Sequence, residues 1–336
     1  MNEVATVGDL ARTLIFRRRN ADVRSEIDRL TKEISTGRKA DLPAALSGDF
    51  TVLASVERDI RSLAAYGTAT TELTARASAM QTMLGTIQDQ TDRFIPQLLA
   101  ARGTNQQSYT ENLAEEARVK MDSAVSALNT NFGGRTLFAG AAVDGPALAD
   151  ADVILAAVEA AVAGVAADAA TVEAEVAAWF APGGGFDTVG YIGSANPVGA
   201  QPVSSTQSLS INITAEDTRL REILSGIALA AMADRPPLAG TLSEQTELAE
   251  MAGTALLRSQ TGLSTLRGEV GAVEAELDSV VTRNGAEETA LRITRGELAD
   301  ADIYDSSTQL EAVQTQLELL YAITVRSSEL TLTRFL

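Results

Sequence analysis

Two stretches at opposite ends of the chain carry apolar residues at alternating spacings of three and four. In residues 303–330, Ile303, Leu310, Leu317 and Thr324 fall on one heptad position, and Ser306, Val313, Leu320 and Ser327 fall on the other. Such alternation lays one narrow apolar seam along a helix, and a seam of that kind asks for a partner helix. Gln309, Gln314, Thr315 and Gln316 fill its sides, and Leu330 is its last large side chain. At the other end, Leu10 and Leu14 open an amphipathic pattern that Val23, Ile27, Leu30 and Ile34 continue at four-three-four spacing. Gly37 is placed to end that helix, and residues 39–50, with Pro43 and Gly48, read as a loop.

Between the ends the helical spacing returns repeatedly. Val52, Val56, Ile60 and Leu63 lead into Leu73, Ala77, Met80, Leu84, Ile87, Thr91, Phe94 and Leu98. Pro96 is expected to kink or interrupt this helix near its end. Ser108 with Glu111 has the spacing of a capping box, ahead of the stripe Leu113, Ala117, Met121, Ala124 and Leu128. Residues 131–140 break the pattern with glycines and leave Leu137 and Phe138 to be buried. Thr241 with Glu244 is a second capping-box spacing. Beyond it lies the strongest heptad run, Leu256, Leu263, Val270 and Leu277 on one position with Leu266, Val273 and Val280 on the other. Asn284-Gly285 reads as a brief break, after which Leu291, Thr294 and Leu298 carry the pattern on. A helix of about 40 residues is about 60 Å long at 1.5 Å per residue, more than a globular core needs.

The middle differs in composition. Residues 136–218 contain no Lys or Arg, while acids are scattered through them. Residues 147–179 are Ala-rich and read as helix, 187–192 and 208–213 as short strands, and 216–233 as helix stopped by Pro236-Pro237. The expected fold is therefore mainly α: a long helical hairpin or coiled-coil bundle formed by both chain ends, with an inserted, smaller α+β head domain. The expected division is terminal helices at 1–45 and 301–336, a helical rod domain at 46–138 and 241–300, and an acidic head at 139–240.

Composition then narrows the chemistry. The 336 residues carry 45 acids against 27 bases, a net charge of −18, which opposes nucleic-acid binding. There is no histidine and no cysteine, which removes His- or Cys-based catalysis, His or Cys metal ligands and disulfides. Asp300, Asp302 and Asp305 suggest a calcium loop, but Tyr304 stands at the next ligand place and Asp305 where the loop needs Gly. Gly183-Gly184-Gly185 lacks the Lys and Ser/Thr of a phosphate loop. No carboxylate pair is singled out for acid–base work, so no enzyme, cofactor or metal is expected. The first residues make no signal peptide, and 153–167 is too short to span a bilayer. Arg17, Arg18 and Arg19 could meet an anionic surface, yet Asp22, Glu26 and Asp28 dilute them. A solvated or partner-pairing face is the better reading.

Three stretches carry a resemblance to a known family. Asn20, then Ile27, Leu30 and Glu33-Ile34-Ser35-Thr36-Gly37-Arg38-Lys39, looks like the N-terminal signature of the flagellin-like proteins. Asn131-Phe132-Gly133-Gly134-Arg135-Thr136-Leu137-Phe138-Ala139-Gly140 is similar to the stretch that ends their second long helix. Asp300-Ala301-Asp302-Ile303 and the closing Thr331-Leu332-Thr333-Arg334-Phe335-Leu336 resemble their C-terminus. Two departures stand out: Asp41-Leu42-Pro43 replaces the family's usual Asp-Asp-Pro-like element, and Thr136 takes the usual Tyr place. The resemblance implies a structural protein of the bacterial flagellum, exported without a cleaved signal, extracellular, with terminal segments largely disordered until assembly. It points to an adaptor at the hook–filament junction, with flagellin itself or a soluble coiled-coil signalling protein as alternatives. Implied partners are flagellin, an adjacent hook-associated protein, an export chaperone and further copies of the chain in a ring. The assembly residues expected on this basis are Leu10, Leu14, Val23, Ile27, Leu30 and Ile34 with Ile303, Leu310, Val313, Leu317, Leu320 and Leu330.

Overall fold

The computed structural model describes residues 3–104 and 106–332, the side chains of 1–10, 12 and 327–336 excepted. The chain divides into two compact units, one of residues 1–64 with 285–336 and one of residues 65–284.

In the first unit, helix α1 (Glu3–Thr36) ends at Gly37, whose φ of +67° is the left-handed conformation that closes helices. The short helix α2 (Leu42–Ala45) follows, with the Asp41 carboxylate accepting from the Ala44 amide. Helix α3 (Thr51–Leu99) then begins, and it continues into the second unit. The long helix α9 (Leu242–Ala299) returns from that unit, and α10 (Ile303–Leu332) runs antiparallel to α1. Asp302 caps α10 by accepting from the amides of Tyr304 and Asp305.

The second unit is a helical bundle whose core extends without a break into the inserted residues. Helices α4 (Ala101–Thr104) and α5 (Gln107–Leu128) precede a hairpin of β1 (Asn131–Phe132) and β2 (Arg135–Thr136). Then come α6 (Ala151–Val162), α7 (Ala169–Phe180), a π-turn at Phe186–Gly190, a second hairpin of β3 (Gln201–Pro202) and β4 (Ser208–Leu209), and α8 (Thr218–Ala231). Met80, Leu84, Phe94 and Leu98 of α3, Met121 and Leu128 of α5, and Leu256, Leu263 and Leu266 of α9 are fully buried together, as their heptad spacing foretold. Small residues set the helix separations: a Cβ on Gly226 of α8 would lie 2.7 Å from Leu256 Cδ2. Polar rungs fix the antiparallel register of α3 and α9. The Gln81 amide nitrogen donates to the Arg267 carbonyl at 2.6 Å, Arg267 donates to Gln88 at 2.5 Å, and Gln260 donates to Thr91 at 2.7 Å. A slide of one helix along the other would break these bonds together.

Arg221 follows the base-free stretch closely and serves it. Its guanidinium is buried 4.8 Å over the Phe186 ring, ion-paired with Asp187 and Glu216. Phe186 in turn packs edge-on to Trp179.

Several local expectations fail for identifiable reasons. The Ala-rich helix of 147–179 is two helices, because the chain turns at 163–168 and Asp168 caps α7 anew. Residues 187–192 form no strand: Phe186 is drawn into the aromatic cluster, and the backbone winds into a π-turn there. Of the second strand only Ser208–Leu209 pairs, with Gln201–Pro202. Pro96 does not interrupt α3, which runs on for three residues to Leu99. Nor does Asn284-Gly285 break α9: the Asn284 side chain leaves the helix alone and donates to the Val203 carbonyl at 2.8 Å, tying down the β3–β4 hairpin. Neither capping box forms. Ser108 lies inside α5, and Glu244 accepts instead from the Ala169 amide at the start of α7, 2.9 Å away.

Gly140 offers a test of how tightly the insertion is held. Its φ is +61°, and an added Cβ would fall 2.2 Å from the Ser194 carbonyl oxygen and 2.7 Å from that of Asn196. Gly140→Ala is expected to cost about 3 kcal/mol through strain and overpacking. That should lower the melting midpoint by roughly 6–12 °C for a unit of this size, read by circular dichroism at 222 nm. An unchanged midpoint would contradict the packing described.

Candidate assembly interface

The pairing of α1 with α10 joins residues more than 270 positions apart in the chain. Val23, Leu30 and Leu320 are its buried apolar anchors, with Ile27, Ile34, Leu310, Val313 and Leu317 half-buried around them. Leu14 and Ile303 stand 57% and 53% exposed, so neither is covered by the intramolecular pair. Leu10 and Leu330 have side chains outside the described residues.

The polar part of this interface was not foreseen. Glu33 is buried, and its carboxylate accepts from Arg29 at 2.7 Å and from the Ala40 amide at 3.0 Å. The Ser306 hydroxyl of α10 donates to it at 3.4 Å, the limit of hydrogen-bond range. Arg29 is shared with Glu26, whose carboxyl its hydrogen bonds hold below the usual range. The available signal was Glu33's own position: an acid on the apolar stripe of Val23 and Leu30, four residues after an Arg. Farther along, the Tyr321 hydroxyl accepts from Arg24 at 2.8 Å and hydrogen-bonds Asn20. The Arg24 contact pulls the phenol below its ordinary range. Asn20 of the N-terminal signature thus acts as an α10 contact.

The rest of that signature forms a joint. Gly37 and Lys39 exchange backbone hydrogen bonds with the α9–α10 junction, Ala301 N to Gly37 O at 3.0 Å and Lys39 N to Ala299 O at 2.9 Å. Arg38 pairs with Asp300 between them as a single β-bridge. The Lys39 ammonium donates to the carbonyls of Glu297 and Leu298, orphan acceptors in the last turn of α9. A cleft of about 580 Å³ lies beside this joint, lined by Glu33, Asp41, Asp302 and Asp305 among others. The glycine signature and the Asp300-Ala301-Asp302 signature are therefore two halves of one structure.

The third signature belongs to the second unit. Gly133 (φ +60°) and Gly134 (φ +82°) form the two-residue turn between Phe132 and Arg135, the conformation a tight hairpin favours. Phe132 is 42% exposed, while Leu137 and Phe138 are buried in the core. Asn129 holds the hairpin's base, its side-chain oxygen accepting from the amides of Ala147 and Leu148. The Phe138 carbonyl accepts from Ala215, and that of Ala139 from Ser194.

Among the described residues, no three His, Cys, Asp or Glu side chains gather as a metal site. No described helix is long and apolar enough to cross a membrane. Long terminal helices that pair with each other, with a small head inserted in the sequence between them, define a mainly helical structural protein. Residues 7–142 match the bacterial flagellin N-terminal helical region, and residues 254–336 match the bacterial flagellin C-terminal helical region. The chain belongs to the flagellin-like family, whose members are structural, non-enzymatic components of the flagellum. No curated protein matches the sequence. Among solved structures, the fold is similar to that of a protein from Vibrio parahaemolyticus provisionally assigned as a flagellar hook-associated protein. The TM-score is 0.52 at 16% identity, over 75% of this chain and 99% of that one.

Proposed function

We propose that this flagellar structural protein is an adaptor at the junction of hook and filament. The observation that carries an assembly role is the concentration of exposed apolar side chains on α1 and α10. Leu14, Ile15, Leu319, Ile323 and Val325 are each more than half exposed on these two helices, left uncovered by their pairing. Such helices gain their missing burial from neighbours in an axial structure. The adaptor reading draws on the likeness to the Vibrio protein, which is covered almost end to end.

In this reading residues 1–45 and 301–336 build the inner axial layer, 46–138 with 241–300 make lateral contacts, and 139–240 face outward. Neighbouring copies form a ring, with flagellin on one side and a hook-associated protein on the other. The chain leaves the cell without a cleaved signal, and an export chaperone shields α10 beforehand.

Electron microscopy of a strain lacking the gene is expected to show hooks without filaments. Normal filaments on that strain would refute the adaptor role. Long filaments grown from the purified chain alone would instead assign it as a filament subunit.

A further inference from the structure

Arg17, Arg18 and Arg19 of α1 are fully on the surface, and none of them makes an ion pair among the described residues. Glu311 and Glu318 of α10 are likewise exposed and unpaired; their spacing of seven places them on one face, about 10 Å apart. We propose that the arginine cluster of one copy docks against Glu311 and Glu318 of a second copy, fixing how neighbours are staggered. The proposal rests on the assembly reading above and adds its contact chemistry.

The two clusters do not meet within one chain. Asn20 and Arg24 are the α1 residues that reach Tyr321, so the antiparallel pair carries Arg17–Arg19 past Tyr321 on one side. Glu318 and Glu311 lie about 5 Å and 15 Å back from Tyr321 on the other. A neighbour shifted along the helix axis by roughly 10–20 Å brings the opposite charges level. The same shift brings exposed apolar residues together, since Leu14 and Ile15 stand one turn from Arg18 and Arg19, and Leu319 adjoins Glu318. At a net charge of −18 each, two copies repel one another at a distance, so association needs a local cationic surface of this kind. The acids Asp22, Glu26 and Asp28 on the same helix favour a protein partner with discrete carboxylates over an anionic lipid surface.

The test is reciprocal charge reversal in the full chain, with self-association followed by sedimentation velocity in 50 mM salt. R17E/R18E/R19E and E311R/E318R are each expected to weaken association at least tenfold, while mixing the two restores it to within about threefold. Raising salt to 0.5 M should weaken the wild type similarly, because the Debye length falls below the spacing of the charges. Because all five side chains are exposed, helix content by circular dichroism should stay unchanged. Three results would overturn the proposal: variants that associate like the wild type, a mixture that fails to recover, or wild-type protein that stays monomeric throughout. Arginine-dependent binding to anionic vesicles in place of self-association would overturn it in favour of a lipid surface. Hooks without filaments in the deletion strain would still stand in any of those cases, so the two readings fail separately.

Discussion

Amide hydrogen exchange on the purified monomer is expected to be faster by a factor of about 30 or more in α1 and α10 than in the core of residues 65–284. Helices in proteins draw most of their stability from packing of an apolar face, and among the described side chains only Val23, Leu30 and Leu320 are buried apolar anchors between α1 and α10. Local opening should therefore cost about 0–3 kcal/mol there, against the 5–15 kcal/mol typical of whole-domain unfolding. Exchange should slow toward the joint, where Leu30, Glu33, Ala299 and Ser306 are buried together. Peptide-resolved mass spectrometry reads this directly. Uniform strong protection of both terminal helices would mean that they already possess all their partners, and the assembly reading would be wrong.

Phe138→Ala should produce the largest loss of stability of any change to the glycine-rich signature. The ring is fully buried in the core shared by α3, α5, α9 and the insertion, so truncation removes its transfer energy and leaves a cavity. The expected cost is about 3–5 kcal/mol, or roughly 6–20 °C of the melting midpoint at this size. Phe132→Ala, six residues earlier at the exposed end of the hairpin, should change the midpoint by only about 2 °C. Calorimetry of the two variants side by side separates burial from mere sequence signature. Equal effects would show that Phe138 does not pack as described.

The long helices could be read from heptad spacing because each apolar stripe reports a buried face, whichever helix covers it. That Leu73, Leu84 and Leu98 would be buried followed from their spacing alone. The partner could not be read in the same way. Glu244 has the spacing to cap its own helix, yet it caps α7, whose first amide is 75 residues distant. Val203 gives no sign of burial in a polar stretch, and it is covered by Leu73, Leu277 and Val280 from two other helices. Residues 187–192 mimic a strand because Thr188, Val189, Tyr191 and Ile192 are residue types that favour one, and long-range packing of Phe186 overrides that preference. At the interface, the anchors Val23, Leu30 and Leu320 were apparent from periodicity. The contacts of Glu33 with Ser306 and of Tyr321 with Arg24 were not, since a polar contact between distant segments leaves no period in the chain.

The separation of 273 residues between Glu33 and Ser306 also sets a waiting time. At roughly 5–20 residues per second, a ribosome that has finished α1 takes about 15–55 s to deliver the serine that meets it. Throughout that interval the nascent α1 has nothing to cover its apolar face. A broad greasy stripe would invite aggregation during the delay. A thin one, with charged side chains packed between Val23 and Leu30, lets the segment stay in solvent until its distant partner is made.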